Sequence, residues 1–189
     1  FHYMQWDVYS LDILQVRTKE ILGMARLNDL ERKNEICKNR GQSACQLQTM
    51  KQLHRLRPQE LKYLADLARI QLQTEGVNES NLTLKEYIQM GGNDYQLLFA
   101  YAQHLAMVGE VDLATHFFEK VLQMKPDVLQ IQVARSYVSM LMAHSRYEKA
   151  RTIIEKLRRT GESAAYFLDE EMREIKRKTN HTHHSSFRI

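Results

Sequence analysis

Few residues of this chain could do chemistry, and most stand without the companions that chemistry needs. Cys37 and Cys45 are the only cysteines among 189 residues. Their spacing fits neither a CxxC redox pair nor a cysteine-rich zinc site, which would need further ligands. The run between them, Lys38-Asn39-Arg40-Gly41-Gln42-Ser43-Ala44, is polar with glycine near its centre. A bridge would close a small loop between two helices and stabilise by about 2–3 kcal/mol in an oxidising compartment. The competing reading is two unlinked thiols in a cytosolic protein. A cysteine pair isolated in one short turn is otherwise unmotivated, so a Cys37–Cys45 disulfide is the expectation.

His181, His183 and His184 make a histidine-rich tail that could hold a transition metal weakly; a flexible tail without such a purpose explains them better. His104 and His116 have no partner cluster in the sequence and read as helix-surface or packing residues. Asp169, Glu170, Glu171 and Glu174 precede Lys176, Arg177 and Lys178. Acids early and bases late in one helix complement its dipole, which outweighs reading the acids as a paired-carboxylate active site. No Gly-rich phosphate loop, HExxH, GxSxG or dinucleotide fingerprint occurs. Asn78, Asn81 and Asn180 head N-x-S/T triplets, which matter only in a host that glycosylates exported proteins. The expectation is a chain that is not an enzyme and uses neither cofactor nor metal.

The elements that carry these residues are read as helices throughout. Only 7 Gly and 2 Pro occur, too few breakers for many strand-bounding turns. Leu, Gln, Met, Glu, Lys and Arg dominate, and these favour helices. A first helix is predicted over 4–26 and a second is capped by Asn28. A third follows over 45–55, and another starts at Pro58. Gly76 to Asn81 reads as loop, and Thr83 with Glu86 as a capping box opening a short helix. From Asp94 on, helices are expected near 94–107, 110–124, 127–143, 146–160 and 163–177. The polar stretch 179–189 is expected to be disordered.

Laying Ala114 on Ala150, an offset of 36, brings Gly109-Glu110-Val111-Asp112-Leu113-Ala114 over Ser145-Arg146-Tyr147-Glu148-Lys149-Ala150. Phe118 then meets Ile154, and Val121 meets Leu157. Leu98, Tyr101, Ala102 and Leu105 precede the first copy; Ala134, Tyr137, Val138 and Leu141 precede the second. Pro126 closes the first. This pattern resembles the tetratricopeptide (TPR) repeat, whose period is about 34 residues. A third, degenerate copy is read over about 61–90.

The resemblance implies an all-α fold of antiparallel helical hairpins stacked as a short TPR-like α-solenoid. Additional N-terminal helices and a C-terminal capping helix complete it. The division is 1–57 as an N-terminal helical segment, 58–178 as the repeat domain and 179–189 as tail. First helices of such repeats face a concave surface. Gln96, Phe99, Gln103 and Met107 of one repeat, with Gln132, Arg135, Ser139 and Met142 of the next, would therefore contact a protein or peptide partner. Phe99 and Gln103 stand where some family members carry Lys and Asn for clamping a terminal carboxylate, so that activity is not expected. Charge reversal at Arg135 is expected to weaken partner binding and leave the melting temperature alone.

The function this implies is that of a scaffold or adaptor. The alternatives are a domain that self-associates through the N-terminal helices and, behind it, a nucleic-acid binder. With 27 basic and 23 acidic residues interleaved along the helices, the one-sign stripe that nucleic acid needs is missing. No apolar run approaches the roughly 18 residues that span a bilayer, and no signal peptide is visible. The chain begins at Phe1, so it is read as a fragment or a processed product. Phe1, Tyr3, Trp6 and Tyr9 suit a juxtamembrane position at headgroup level, although Trp6 and Tyr9 would equally pack in a core. The domain is therefore read as exported or membrane-anchored, in an oxidising compartment such as the periplasm, with the cytoplasm as the alternative. Alkylation of the native protein is expected to find no free thiol until a reductant is added. Ready labelling of both cysteines without reductant would remove the bridge and the export it implies.

Overall fold

The computed structural model describes residues 8–124, 130–159, 161 and 163–185, with side chains for Thr18 and for 21–179 apart from residues 25, 163 and 164 in that span. No strand occurs among them. The chain divides into two compact units, Phe1–Gly76 and Val77–Ile189.

In the first unit, α1 (Val8–Asn39), α2 (Ser43–Leu56) and α3 (Leu61–Thr74) form a meander, α2 packing on both neighbours. One helix replaces the two predicted before residue 40: Asn28 lies inside α1 and caps nothing. Its neighbours Leu27 and Leu30 carry the apolar seam onward without a break. With Leu47 they lean on a core of Met50, Leu53, Tyr63, Leu67 and Ile70. Pro58 sits in the turn before α3, whose N-cap is Glu60. The Tyr63 hydroxyl donates to Glu31 Oε1 at 2.6 Å, tying α3 to α1. Burial, and then that carboxylate, push the phenol up to about 12. Cys37 and Cys45 are bridged across the α1–α2 turn, their Cα atoms 5.8 Å apart.

The second unit holds α4 (Val77–Gln89), α5 (Tyr95–Met107), α6 (Val111–Gln123), α7 (Gln130–Ala143) and α8 (Tyr147–Arg159). A 3₁₀ turn (Ser163–Leu168) and α9 (Asp169–Ser185) follow. Each helix packs on the next, α5 also reaches α7, and α7 also reaches α9. This is the stacking of antiparallel pairs, α5–α6 and α7–α8, with α9 as cap. The predicted loop at 76–81 is instead the first turn of α4. Ser80 there is fully buried and its hydroxyl donates to the Val77 carbonyl, a helix-compatible bond that polar composition alone hides. Thr83 and Glu86 therefore fall inside α4. The helix predicted over 163–177 is a 3₁₀ turn followed by α9, which continues to Ser185, into the segment read as tail. The aromatic membrane contacts Phe1, Tyr3 and Trp6 lie outside the described residues, as do the Tyr9 side chain, Pro126 and the side chains of His181, His183 and His184. No helix among the described residues is long and apolar enough to cross a membrane.

Small residues sit where the helices of a pair come closest. Ala102, Ala114 and Ala150 are completely buried. Val138 fills the place of Ala102 in the second pair and is completely buried too. Both pairs turn the same way. The N–H of Glu110 donates to Leu105 O and that of Arg146 to Leu141 O, the six-residue bond of a Schellman end. Gly109 (φ 83°) takes the left-handed position in the first turn and Ser145 (φ 56°) in the second.

The α4–α5 junction is fixed by space. Gly92 lies against the ring of Tyr87, so that a Cβ there would come within 2.3 Å of two ring carbons. The same Tyr87 oxygen accepts the Asp94 N–H at 3.0 Å, and the Asp94 carboxylate caps α5 through the N–H groups of Gln96 and Leu97. Gly92→Ala is expected to cost about 1–3 kcal/mol by forcing Tyr87 off its seat. Thermal unfolding checks this, and an unchanged midpoint would show that the contact is slack.

Candidate functional site

Helices α5, α6 and α7 meet through aromatic rings. Phe118 of α6 stacks on Tyr137 of α7, centroids 5.3 Å apart, and meets Phe99 of α5 edge-on at 6.2 Å. The Tyr137 hydroxyl is buried and donates to Glu119 Oε1 at 2.7 Å. Lys149 Nζ lies 3.4 Å from the same oxygen. Burial, then the Glu119 carboxylate, raise the Tyr137 phenol well above its ordinary range. A polar bridge through Tyr137, Glu119 and Lys149 therefore joins α6, α7 and α8.

On the side away from this core, α5 and α7 leave a groove of about 290 Å³ lined by Phe99, Gln103, Ile131, Gln132, Arg135 and Ser136. Between α7 and α9 lies a second of about 450 Å³, lined by Arg135, Ser139, Met142, Ala143, Tyr147, Glu171, Glu174 and Lys178. Arg135 borders both. The two grooves thus gather Phe99, Gln103 and Gln132 on one side of that arginine, and Ser139 and Met142 on the other. Gln96 is exposed on the first turn of α5 and lines neither. Met107 also lines neither; it stands 62% exposed at the far end of α5, beside the exposed Val108. Phe99 is only 8% exposed, so it offers a ring edge at the base of its groove rather than a free aromatic face.

Arg135 does not face the grooves alone. Its Nη2 donates to the Phe167 carbonyl at 3.1 Å, and its Nε lies 3.5 Å from Glu171 Oε1. The guanidinium spans from α7 to the 3₁₀ turn and α9, which two planar donor edges allow. Reading Glu171 and Glu174 as dipole residues missed this. Their spacing with Lys178 along one stripe of the last helix was the available signal. Chemically the surface offers amide and hydroxyl donors and acceptors around small apolar floors. Among the described residues no cluster of His, Cys, Asp and Glu could hold a metal ion.

In three dimensions the chain is similar to MamA, a TPR-like helical repeat protein. A crystal structure of MamA superposes with a TM-score of 0.59 at 11% sequence identity, covering 86% of this chain and 96% of that one. A structure of a MamA mutant gives a TM-score of 0.59 at 16% identity, covering 84% and 89%. No family model and no curated protein sequence matches the chain. The fold is thus all-α and TPR-like, with helical hairpins stacked as a short α-solenoid, additional N-terminal helices and a C-terminal capping helix.

The contacts of Arg135 alter what its charge reversal should do. Arg135→Glu would face Glu171 with like charge and loosen the cap, so the melting temperature is expected to fall with a loss of about 0.5–1 kcal/mol. Pairing it with Glu171→Arg should recover most of that loss. A single variant as stable as the parent would show the latch to be inert.

Proposed function

We propose that this chain is a non-catalytic protein-interaction module, a scaffold or adaptor that holds a segment of a partner protein along α5, α7 and α9. The observation that carries this reading is the pair of adjoining grooves on either side of Arg135. Gln103, Gln132 and Ser139 can exchange hydrogen bonds with a partner's backbone, and Phe99 and Met142 give the apolar contact that fixes side chains. Gln96 and Met107 would extend the contact surface at the two ends of α5. The face belongs to the stretch 58–178 read as the repeat domain. The bridge between Cys37 and Cys45 favours an exported domain in an oxidising compartment such as the periplasm.

A second reading has copies of the chain associating through the N-terminal helices. It is favoured by Ile21, Leu22 and Met24, which are 64%, 70% and 57% exposed on α1. With 32 residues against 14, α1 also outreaches its partner α2, by roughly 27 Å at helical rise.

The test of the first reading places bulk where the grooves open. Gln132→Arg and Ser139→Arg together change exposed positions, so the fold should hold, while capture of the native partner from the host falls at least about tenfold. Undiminished capture by a folded variant would overturn the inner-face reading. Sedimentation of Ile21→Glu/Leu22→Glu beside the parent tests the second: a monomer in both removes self-association.

A further inference from the structure

The buried stripe of the 3₁₀ turn and α9 repeats that of α7. Ala134, Val138 and Leu141 of α7 are fully buried, and Leu168, Met172 and Ile175 stand at an offset of 34 and are 4% exposed or less. That offset matches the repeat period. It therefore sets Tyr166, Asp169 and Arg173 in register with Gln132, Arg135 and Ser139, and Lys176 one turn beyond Arg173 with Met142. The inner face thus continues onto the cap and changes character there. Tyr166 is 75% exposed, and Arg173 and Lys176 are both exposed. Of the nearby carboxylates, Asp169 is held by Arg158 and Glu171 by Arg135, while Glu174 lines the α7–α9 groove together with Lys178. Arg173 meets only a carbonyl, that of Asp169, through its Nε at 3.3 Å, which leaves its two other nitrogens directed elsewhere.

From this we propose that the partner segment is acidic at the end that lies on α9. Its carboxylates would meet Arg173 and Lys176 beside the ring of Tyr166, and an apolar or aromatic residue would sit in the Phe99 groove. The polarity fixes direction as well as composition, since α5 and α7 offer amides, a hydroxyl and the Arg135 already engaged by Glu171, where the exposed side of α9 offers Arg173 and Lys176. This rests on the inner-face reading above and names the chemistry of its partner.

A display library of random extended peptides, panned against the full chain, separates the possibilities. The parent is expected to enrich peptides with two or more Asp or Glu clustered at one end and an apolar residue toward the other. Arg173→Glu/Lys176→Glu alters exposed groups, and circular dichroism verifies its fold. It should weaken a parent-selected acidic peptide about tenfold, in line with the small worth of each exposed ion pair plus the new repulsion, and should itself select basic peptides. Enriched peptides without an acidic bias, or a bias that survives the double reversal, would overturn the proposal. The inner-face reading would still stand if Gln132→Arg/Ser139→Arg abolished their binding. Failure of the parent to enrich any peptide would overturn both.

Discussion

The architecture of the second unit depends on the seating of α7 against α6. Phe118 and Tyr137 lie nearly parallel at this contact, and the Tyr137 hydroxyl ends on Glu119 beside Lys149. An aromatic pair of this kind adds about 0.5–1.5 kcal/mol beyond its buried area, and the polar end admits only one depth of insertion. Once α7 is seated, the completely buried Ala114 and Ala150 let each second helix close on its first. The spacing of α5, α7 and α9 follows, and the grooves are the gaps that spacing leaves.

Charge acts at the edges of this stack. Arg146 of the second turn reaches Asp112 of the first at 2.6 Å, holding the Asp112 carboxyl below its usual range. Arg135 and Arg158 tie the cap to α7 and α8. Exposed pairs of this kind contribute little individually. Their role is positional: successive turns and the last helix are held in register, so the inner face keeps one shape from α5 to α9. On α9 the same arrangement engages Asp169 and Glu171 and leaves Arg173 and Lys176 among its exposed basic residues.

Much of this was legible in the residues. Ala114 and Ala150 with the flanking Gly109 and Ser145 set the turns at 108–110 and 144–146 to within a residue or two, because close approach and turn chemistry demand particular side chains. The contact stripe expected on α5 and α7 came from the resemblance to TPR repeats; of its residues, Gln96 and Met107 line neither groove. What stayed hidden was decided by contacts far apart in the chain. Asn28 reads as a cap, yet the seam through Leu27 and Leu30 continues straight past it. Ser80 reads as loop, yet its hydroxyl is absorbed by a helix carbonyl. Arg135 reads as a free cation because its partner lies thirty-odd residues downstream, in a stretch whose acids already had a local explanation. Gly92 gives no hint of the ring it must admit.

The central claim is that partners dock on the side of the stack bearing Gln132, away from the side bearing Thr152. Site-specific photo-cross-linking in the native host addresses it most directly, with a photoreactive residue placed at either position. The account predicts a cross-linked partner from position 132 and none from the exposed outer position 152 on α8. Cross-links from 152 with silence at 132 would contradict it.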